Sequence, residues 1–562
     1  MNLLHNVNIV TMDQNFTRAG AMVFNNGGIV ETGDFHALKG KYGRAIHMDG
    51  HGRTVLPGFI DPHNHFLIGA LSNGFLDCTP EKVPDVASLQ KRLQVLTAEV
   101  PKEQWIVGQG YDPVRFPGHK SPTRKDLDAA CPDHPAFIIH YSLHEAIANS
   151  RALDQLKIDQ HTPQPFAGEI EKDRNGIPTG RLIESISGKA MAMAMDNWIN
   201  CAEDRFFQQV KAAEKQMFGF GITRLGDPAV STNAWAFYEK LYQQGILHLP
   251  VVGYPASDGN MYDLPFAKAE AQYKEGSDKL PMVGPVKFFL DGADRAGFKM
   301  TLFQSLYSGW QTMVNVILKR SLNPIRIGLR SPVQVGRDFY FHVGEMMAKT
   351  ADLNRCLKTA VQNGHPVALH AIGNEAIAQA VDAMKSLGVP YDHPAPPRIE
   401  HALFPTDHDI RMIKETGLAI ATQPAFLAHM GSDNLPPIKG LKKMPLRTFI
   451  DAGIHVAGSS DWPVDSCNPL VAMERAVTRR TTEDEVLDRK EAITVPEAIN
   501  MYTREGAFLL GQTQHIGSLE PGKRADFIVL DKNPFEAAPE NIGAIRVEET
   551  YLGGERVYRR TA

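Results

Sequence analysis

Val55-Leu56-Pro57-Gly58-Phe59-Ile60-Asp61-Pro62-His63-Asn64-His65 is the stretch on which the reading of this chain turns. An apolar run of strand length, residues 55–61, ends at an acid and a proline and delivers two histidines two positions apart. On extended backbone, residues i and i+2 point the same way, so both imidazoles can reach one cation from one strand end. A His-x-His pair on a solvated loop is common, and its meaning depends on what other strands bring beside it.

Seven further runs share this character, namely GITRLGD (221–227), LPVVGY (249–254), PVKFFLDG (285–292), PVALHAIG (366–373), RIEHA (398–402), LAIATQP (418–424) and HVAGSSD (455–461). Amphipathic stretches, such as 374–387 and 407–415, lie between many of them. Short buried strands alternating with helices predict a parallel α/β architecture. Eight such strands predict a closed (β/α)8 TIM-like barrel. A doubly wound open sheet is the alternative, but no Gly-rich dinucleotide fingerprint supports it. A large insertion at about 70–200 follows the first strand, and a long loop at about 292–345 follows the fourth. Both are expected on the C-terminal face, as walls or lid of a pocket. Residues 1–54 and 512–562 are rich in short strands and Gly turns. They are predicted to form one accessory β-sandwich beside a metal-binding barrel spanning 55–511.

Three more polar residues close apolar runs: His370 on the fifth strand, His401 on the sixth and Asp461 on the eighth. In a barrel these ends converge with His63 and His65 on one face. Imidazoles with one carboxylate suit a divalent metal, Zn²⁺ first, with Fe, Mn or Ni as alternatives, at one or two ions per chain. A metal lowers the pKa of bound water to roughly 7. Asp461 is then the candidate general base, taking the water's proton and passing it to the leaving group, and it can also ligate. Lys287 is anomalous, a cation inside the apolar run PVKFFLDG. An ion pair to Asp291 or another acid accounts for it, and so does carbamylation by CO₂, which turns it into an anionic metal bridge.

Composition narrows the field. The chain has 562 residues, 43% hydrophobic and 22% charged, with a net charge of -5. This is a soluble globular balance with no basic surplus for nucleic acid or an anionic membrane. No apolar run is long enough to span a bilayer. The five cysteines, Cys78, Cys131, Cys201, Cys356 and Cys467, are scattered, as expected of free thiols in a reducing compartment. The opening MNLLHNVNIVTMDQNF reads as a strand rather than a signal peptide, so the cytoplasm is the expected location. A homodimer is expected because two-fold assemblies are commonest, and the expected ligand is a small molecule.

The pattern resembles the amidohydrolase superfamily of metal-dependent hydrolases, in particular its YtcJ-like branch, which includes N-substituted formamide deformylases. The resemblance rests on VLPGFIDPHNH (55–65), GQGYDPVRFP (108–117), residues 121–153, GIPTGRLIE (176–184), VKFFLDGA (286–293), LHAIGNEAI (369–377), RIEHA (398–402), ATQPAF (421–426), GSSDWPV (458–464) and residues 516–534. It covers nearly the whole chain. It implies a (β/α)8 barrel with a urease-like β-sandwich built from both termini. It also implies metal ligation by His63, His65, His370, His401 and Asp461, with Lys287 in the place of a carboxylated bridging lysine. Three residues of the matched insertion, Tyr111, Tyr141 and His144, become candidates to contact substrate or polarise its carbonyl, with packing of the insertion the alternative for the tyrosines. Phe426 and Trp462, after strand ends, are candidate apolar walls or simple core. Asn374 departs from the Asp that the family writes there, a residue that orients the segment. The stretch 293–345, with Arg320, Arg326, Arg330 and Arg337, matches the family poorly, so substrate does not transfer by analogy.

The expected reaction is hydrolysis of a non-peptide carbon–nitrogen bond, an amide, by metal-activated hydroxide with Asp461 as proton shuttle. A metal-dependent esterase or lactonase, a heterocycle deaminase, or an inactive barrel acting as scaffold or binding protein are the alternatives.

Overall fold

The computed structural model describes residues 1–561 except 114–115, 117–120, 258–279, 294, 320–321, 323–324, 326–331, 389–390 and 432–437. Arg320, Arg326 and Arg330, and part of the 108–117 motif, lie outside the described residues.

All eight expected strands are present: β1 (Phe59–Asp61), β2 (Ile222–Val230), β3 (Val251–Pro255), β4 (Val286–Phe289), β5 (Val367–Ala371), β6 (Arg398–His401), β7 (Ala419–Thr422) and β8 (Val456–Gly458). They follow one another in space in chain order and pair in parallel. β1 to β3 lie in one sheet with the short strand Met282–Val283, and β4 to β8 in a second. A parallel bridge, Ala256 to Lys287, links the sheets after β3. At the other edges Asp461 N donates to His63 O (2.8 Å) and Ser460 N donates to Asp61 Oδ1 (3.0 Å).

These strands are buried on both faces, as parallel strands covered by helices must be. Side-chain alternation sorts them. Phe288, Leu369, Ile399 and Ile420 face the surrounding helices and join the main core with Ile377, Ala380, Ile410 and Ile413. The register places Phe289 beside His370 and His370 beside Glu400, so the alternate positions form a polar interior row.

The expected first strand is corrected. The apolar run 55–61 is two strands, not one. Thr54–Pro57 pairs antiparallel with Phe527–Leu530 in an eight-stranded sheet drawn from both termini, and only Phe59–Asp61 joins the parallel set. Gly58 makes the crossing because a Cβ there would lie 2.2 Å from the Thr223 side chain. The boundary of the terminal sheet therefore falls after Pro57, not at 54.

The insertion between β1 and β2 carries a six-stranded sheet ordered 168–172, 178–184, 145–148, 136–140, 106–111 and 76–77. One of its faces, with Ile106, Tyr111, Ile138 and Ile147, closes a separate core over Leu89, Leu93 and Leu127. The other face, with Val107, Phe137 and Ile139, joins the main core. The expectation of a long loop over 292–345 is also corrected. The segment holds an antiparallel three-stranded sheet (Phe298–Met300, Phe341–Val343, Val333–Val335) and an 18-residue helix, Leu302–Lys319. Apolar residues recurring every three or four positions give that helix its period. Asn374 pins the sheet by accepting from Lys299 N (3.1 Å) and donating to Lys299 O (3.0 Å). All five cysteines are free thiols, and no described helix is long and apolar enough to cross a membrane.

Candidate metal centre

Each strand end presents its candidate ligand inward. His401 (φ 78°) and Asp461 (φ 57°) sit in left-handed backbone conformations that cost non-Gly residues about 1–2 kcal/mol. The surroundings hold them there: Asp461 N is spent on His63 O (2.8 Å), and Ala402 N, next to His401, on Ala371 O (3.0 Å). Such strain persists where side-chain direction matters more than local comfort.

Six of the expected residues, His63, His65, Lys287, His370, His401 and Asp461, line one pocket. Ligand atoms of His63, His401 and Asp461 all lie within 4.8 Å of one another. Asp461 Oδ1 is 3.2 Å from His63 Nε2 and 3.1 Å from His65 Nε2. The His370 and His401 rings are 4.5 Å apart.

The outer partners settle the tautomers. His63 Nδ1 donates to Glu400 Oε2 (2.6 Å), His401 Nδ1 to Gln423 Oε1 (2.7 Å) and His65 Nδ1 to Pro228 O (3.2 Å). A carboxylate or carbonyl oxygen only accepts, so Nδ1 carries the hydrogen in all three and Nε2 offers its lone pair to the pocket. Glu400 is itself held by Arg398 Nε (2.7 Å), whose Nη1 donates to Leu509 O (2.7 Å).

Electrostatics divide the set: against its burial, the charges of Glu400 and Asp461 hold His63 above the usual imidazole range. Burial drives His401 down to about 3 and His370 well below the usual imidazole range, which leaves neutral ligands. Burial would raise the Asp461 carboxyl, but the His63 charge, with hydrogen bonds from His63 and His65 Nε2 that a bound cation would replace, holds it well below the carboxylate range. Burial lowers the Lys287 ammonium to about 8. Lys287 Nζ and His370 Nε2 are buried without a hydrogen-bond partner. The expected ion pair of Lys287 with Asp291 is not formed. Asp291 instead accepts from the backbone N–H groups of Gly297 (2.9 Å), Ile372 (3.0 Å) and Gly373 (2.9 Å). Convergent Nε2 lone pairs, one carboxylate and a stranded buried amine fit a divalent cation, and imidazole-rich sets of this kind suit Zn²⁺.

His144 also lines the pocket, from the insertion, with its ring 6.3 Å from His370. Its Nδ1 is 2.6 Å from Glu184 Oε2. Glu184 is fully buried and strained (φ 55°, ψ -123°), so the chain bends to aim this acid at His144. The other insertion and wall candidates are elsewhere. Tyr111 is buried in the insertion's own core and donates to Glu145 Oε1 (2.8 Å). Tyr141 is half exposed, with its ring against His140 at 4.2 Å. Trp462 packs beneath Gly69, where a Cβ would come within 2.0 Å of its ring. The Phe426 ring lies parallel to that of His401, their centres 6.5 Å apart. Among the described residues the apolar wall is made instead by Ile68, Leu143, Met191, Phe289 and Val464.

Sequence reasoning missed Glu184, Glu400 and Gln423. Glu400 had a signal, an acid buried mid-strand one residue before a ligand; Gln423 and Glu184 had none. Replacing Gln423 by Leu frees the His401 ring to rotate. Zn²⁺ affinity should fall about 10- to 100-fold, read by competition with a chromophoric chelator. Unchanged affinity would show that Gln423 does not set that ring.

Known proteins resemble the chain in sequence and fold. The chain matches the Amidohydrolase family profile over residues 47–558. It is 28% identical to the N-substituted formamide deformylase of Arthrobacter pascens over 573 residues, covering 100% of this chain and 98% of that protein. It is 26% identical to the putative amidohydrolase YtcJ of Bacillus subtilis over 580 residues, covering 98% of each. An uncharacterized metal-dependent hydrolase from Pyrococcus horikoshii superposes with a TM-score of 0.72 at 22% identity, covering 96% of this chain and 99% of that one. A variant of the atrazine chlorohydrolase of Arthrobacter aurescens, solved with zinc and atraton, gives a TM-score of 0.53 at 14% identity, covering 100% and 95%. The fold is thus TIM-barrel-like with an extra domain, and the chain belongs to the amidohydrolase family, as a metal-dependent hydrolase of carbon–nitrogen bonds.

Proposed function

We propose that the chain hydrolyses a non-peptide amide of the N-substituted formamide class, on a closed barrel whose accessory domain combines residues 1–57 and 512–562. The carrying observation is the convergence of six buried ligand-type groups on one pocket whose remaining described wall is largely apolar. The formamide assignment follows the full-length likeness to the Arthrobacter pascens enzyme.

His63, His65, His370, His401 and Asp461 would hold a divalent cation, which when bound would supply Lewis acidity and lower the pKa of a water. The chain's own residues do the rest. Glu400, Gln423 and Pro228 O fix the imidazoles. Asp461, kept ionised by its histidine neighbours, accepts the water proton and returns it to the departing nitrogen. His144, aimed by Glu184, contacts the substrate carbonyl oxygen. Ile68, Leu143, Met191 and Phe289 receive the apolar N-substituent and exclude water. One water is consumed, and the products are formate and a primary amine.

The test is a panel of N-alkyl and N-aryl formamides, esters, lactones and aminated heterocycles, assayed on Zn²⁺-loaded protein. Formate and amine should appear one to one. Chelation should abolish turnover and Zn²⁺ restore it. His144→Asn should lower kcat on the order of 10²-fold at unchanged metal content. Turnover of esters or release of ammonia without amide cleavage would replace this reading.

A further inference from the structure

Helix Leu302–Lys319 turns a large apolar face outward. Leu302, Leu306, Trp310, Met313 and Ile317 recur at helical spacing along one face, and that face points to solvent, each residue between 51% and 71% exposed. Gln304, Ser305, Ser308, Gln311 and Thr312 lie on the half-buried side with Tyr307, Val314 and Val316, and Gln304 Nε2 donates to Lys439 O (2.7 Å). Surface helices of a monomer turn the opposite face outward. The anomaly is local. Of nineteen exposed large apolar residues among those described, twelve lie between 302 and 340, so scatter does not account for them. None of the twelve lines the metal pocket, so substrate binding does not account for them either.

We propose that this face is where a second copy of the chain docks, the two helices crossing at a two-fold axis near Gly309 and Trp310. Area favours this occupant. The five stripe residues with Phe303 expose roughly 700 Å² of surface, and Val333, Val335 and Phe339 of the same module raise this to about 1,050 Å². One partner's share of a standard stable interface is about 800 Å². Val333–Val335 also ends its sheet, pairing only with Phe341–Val343 among the described strands, an edge that proteins ordinarily cover. A self-complementary apolar stripe suits an isologous contact, in which the same patch serves both subunits. A lipid surface fits less well. Helices that lie in membranes carry Lys and Arg on the polar face, and residues 302–318 contain no charged side chain.

The test uses the full-length protein. Sedimentation velocity at about 20 μM should give twice 62.1 kDa. Leu306→Glu with Trp310→Glu should give the single-chain mass with far-UV circular dichroism and thermal unfolding retained. Gly309 is exposed and a Cβ there meets nothing within 4 Å, so Gly309→Cys should fold and form an intersubunit disulfide on mild oxidation, above any background from exposed Cys201. A wild-type chain that sediments singly overturns the proposal. So does a double variant that stays dimeric, or Gly309→Cys that cross-links no more than wild type. Wild-type chains that are single and co-sediment with phosphatidylserine vesicles would reassign the face to lipid. Dimer formation is read without substrate, so this proposal stands or falls apart from the proposed reaction.

Discussion

Asp461→Asn should lower kcat about 10⁴-fold, the upper range for a positioned proton-transfer group, while far-UV circular dichroism and thermal unfolding of the chain stay close to wild type. Among the described residues the carboxylate is the one anionic group that two of the pocket imidazoles both approach, His63 Nε2 at 3.2 Å and His65 Nε2 at 3.1 Å. An amide oxygen of the same shape can still lean toward a cation, but it cannot hold a proton between the water and the departing nitrogen. Loss of kcat with KM nearly unchanged separates this role from simple binding, because an interaction made only in the transition state is removed. Metal content measured on the same sample separates the two remaining roles. Retained metal with lost turnover assigns Asp461 to proton transfer, and lost metal assigns it first to ligation. A variant that keeps both metal and near-normal kcat would sink both roles.

The site's inner ring is legible in the sequence because each ligand closes an apolar run, and a parallel strand that ends in a polar group usually ends at a mouth. His370, His401 and Asp461 stand out by that rule, His63 and His65 by their spacing just past a strand end, and Lys287 by the opposite sign, a cation inside an apolar run. What fails does so for physical reasons. Residues 55–61 read as one strand because hydrophobicity is continuous there, whereas the break is steric: Gly58 slips past Thr223 with no space for a side chain. Tyr111 stands out by its place in a motif, but the direction of its side chain depends on which face of the insertion sheet covers which core, and it faces Leu89 and Leu127. Trp462 follows a ligand in sequence yet turns under Gly69. Gln423 and Glu184 act through contacts to residues 22 and 40 positions away, which only the assembled fold reveals.

Lys287→Met should remove one metal per chain from a binuclear centre and cut kcat/KM on the order of 10²–10³-fold, the several kcal/mol that a Lewis-acid ion supplies. Lys287 is fully buried, its Nζ has no hydrogen-bond partner, and it sits 4.9 Å from the centre of the Phe289 ring. A bare ammonium there is expensive, so on stability grounds alone methionine is the better residue, and metal-free Lys287→Met should unfold at a temperature no lower than metal-free wild type. A chain that keeps a costly lysine where methionine would pack better is explained if the amine reacts. Burial brings the group down to about 8, so a usable fraction is neutral near physiological pH and can add to CO₂, giving a carbamate that is anionic and offers two oxygens to two cations. Three measurements divide the possibilities. Metal loading of the wild type should rise with added bicarbonate, whereas that of Lys287→Met should not. Lys287→Gly should regain part of the lost turnover with a short carboxylic acid such as propionate, which can occupy the bridge. If instead Lys287→Met holds as much metal as wild type and turns over at the same rate, the lysine is unmodified and the centre works with the four histidines and Asp461 alone.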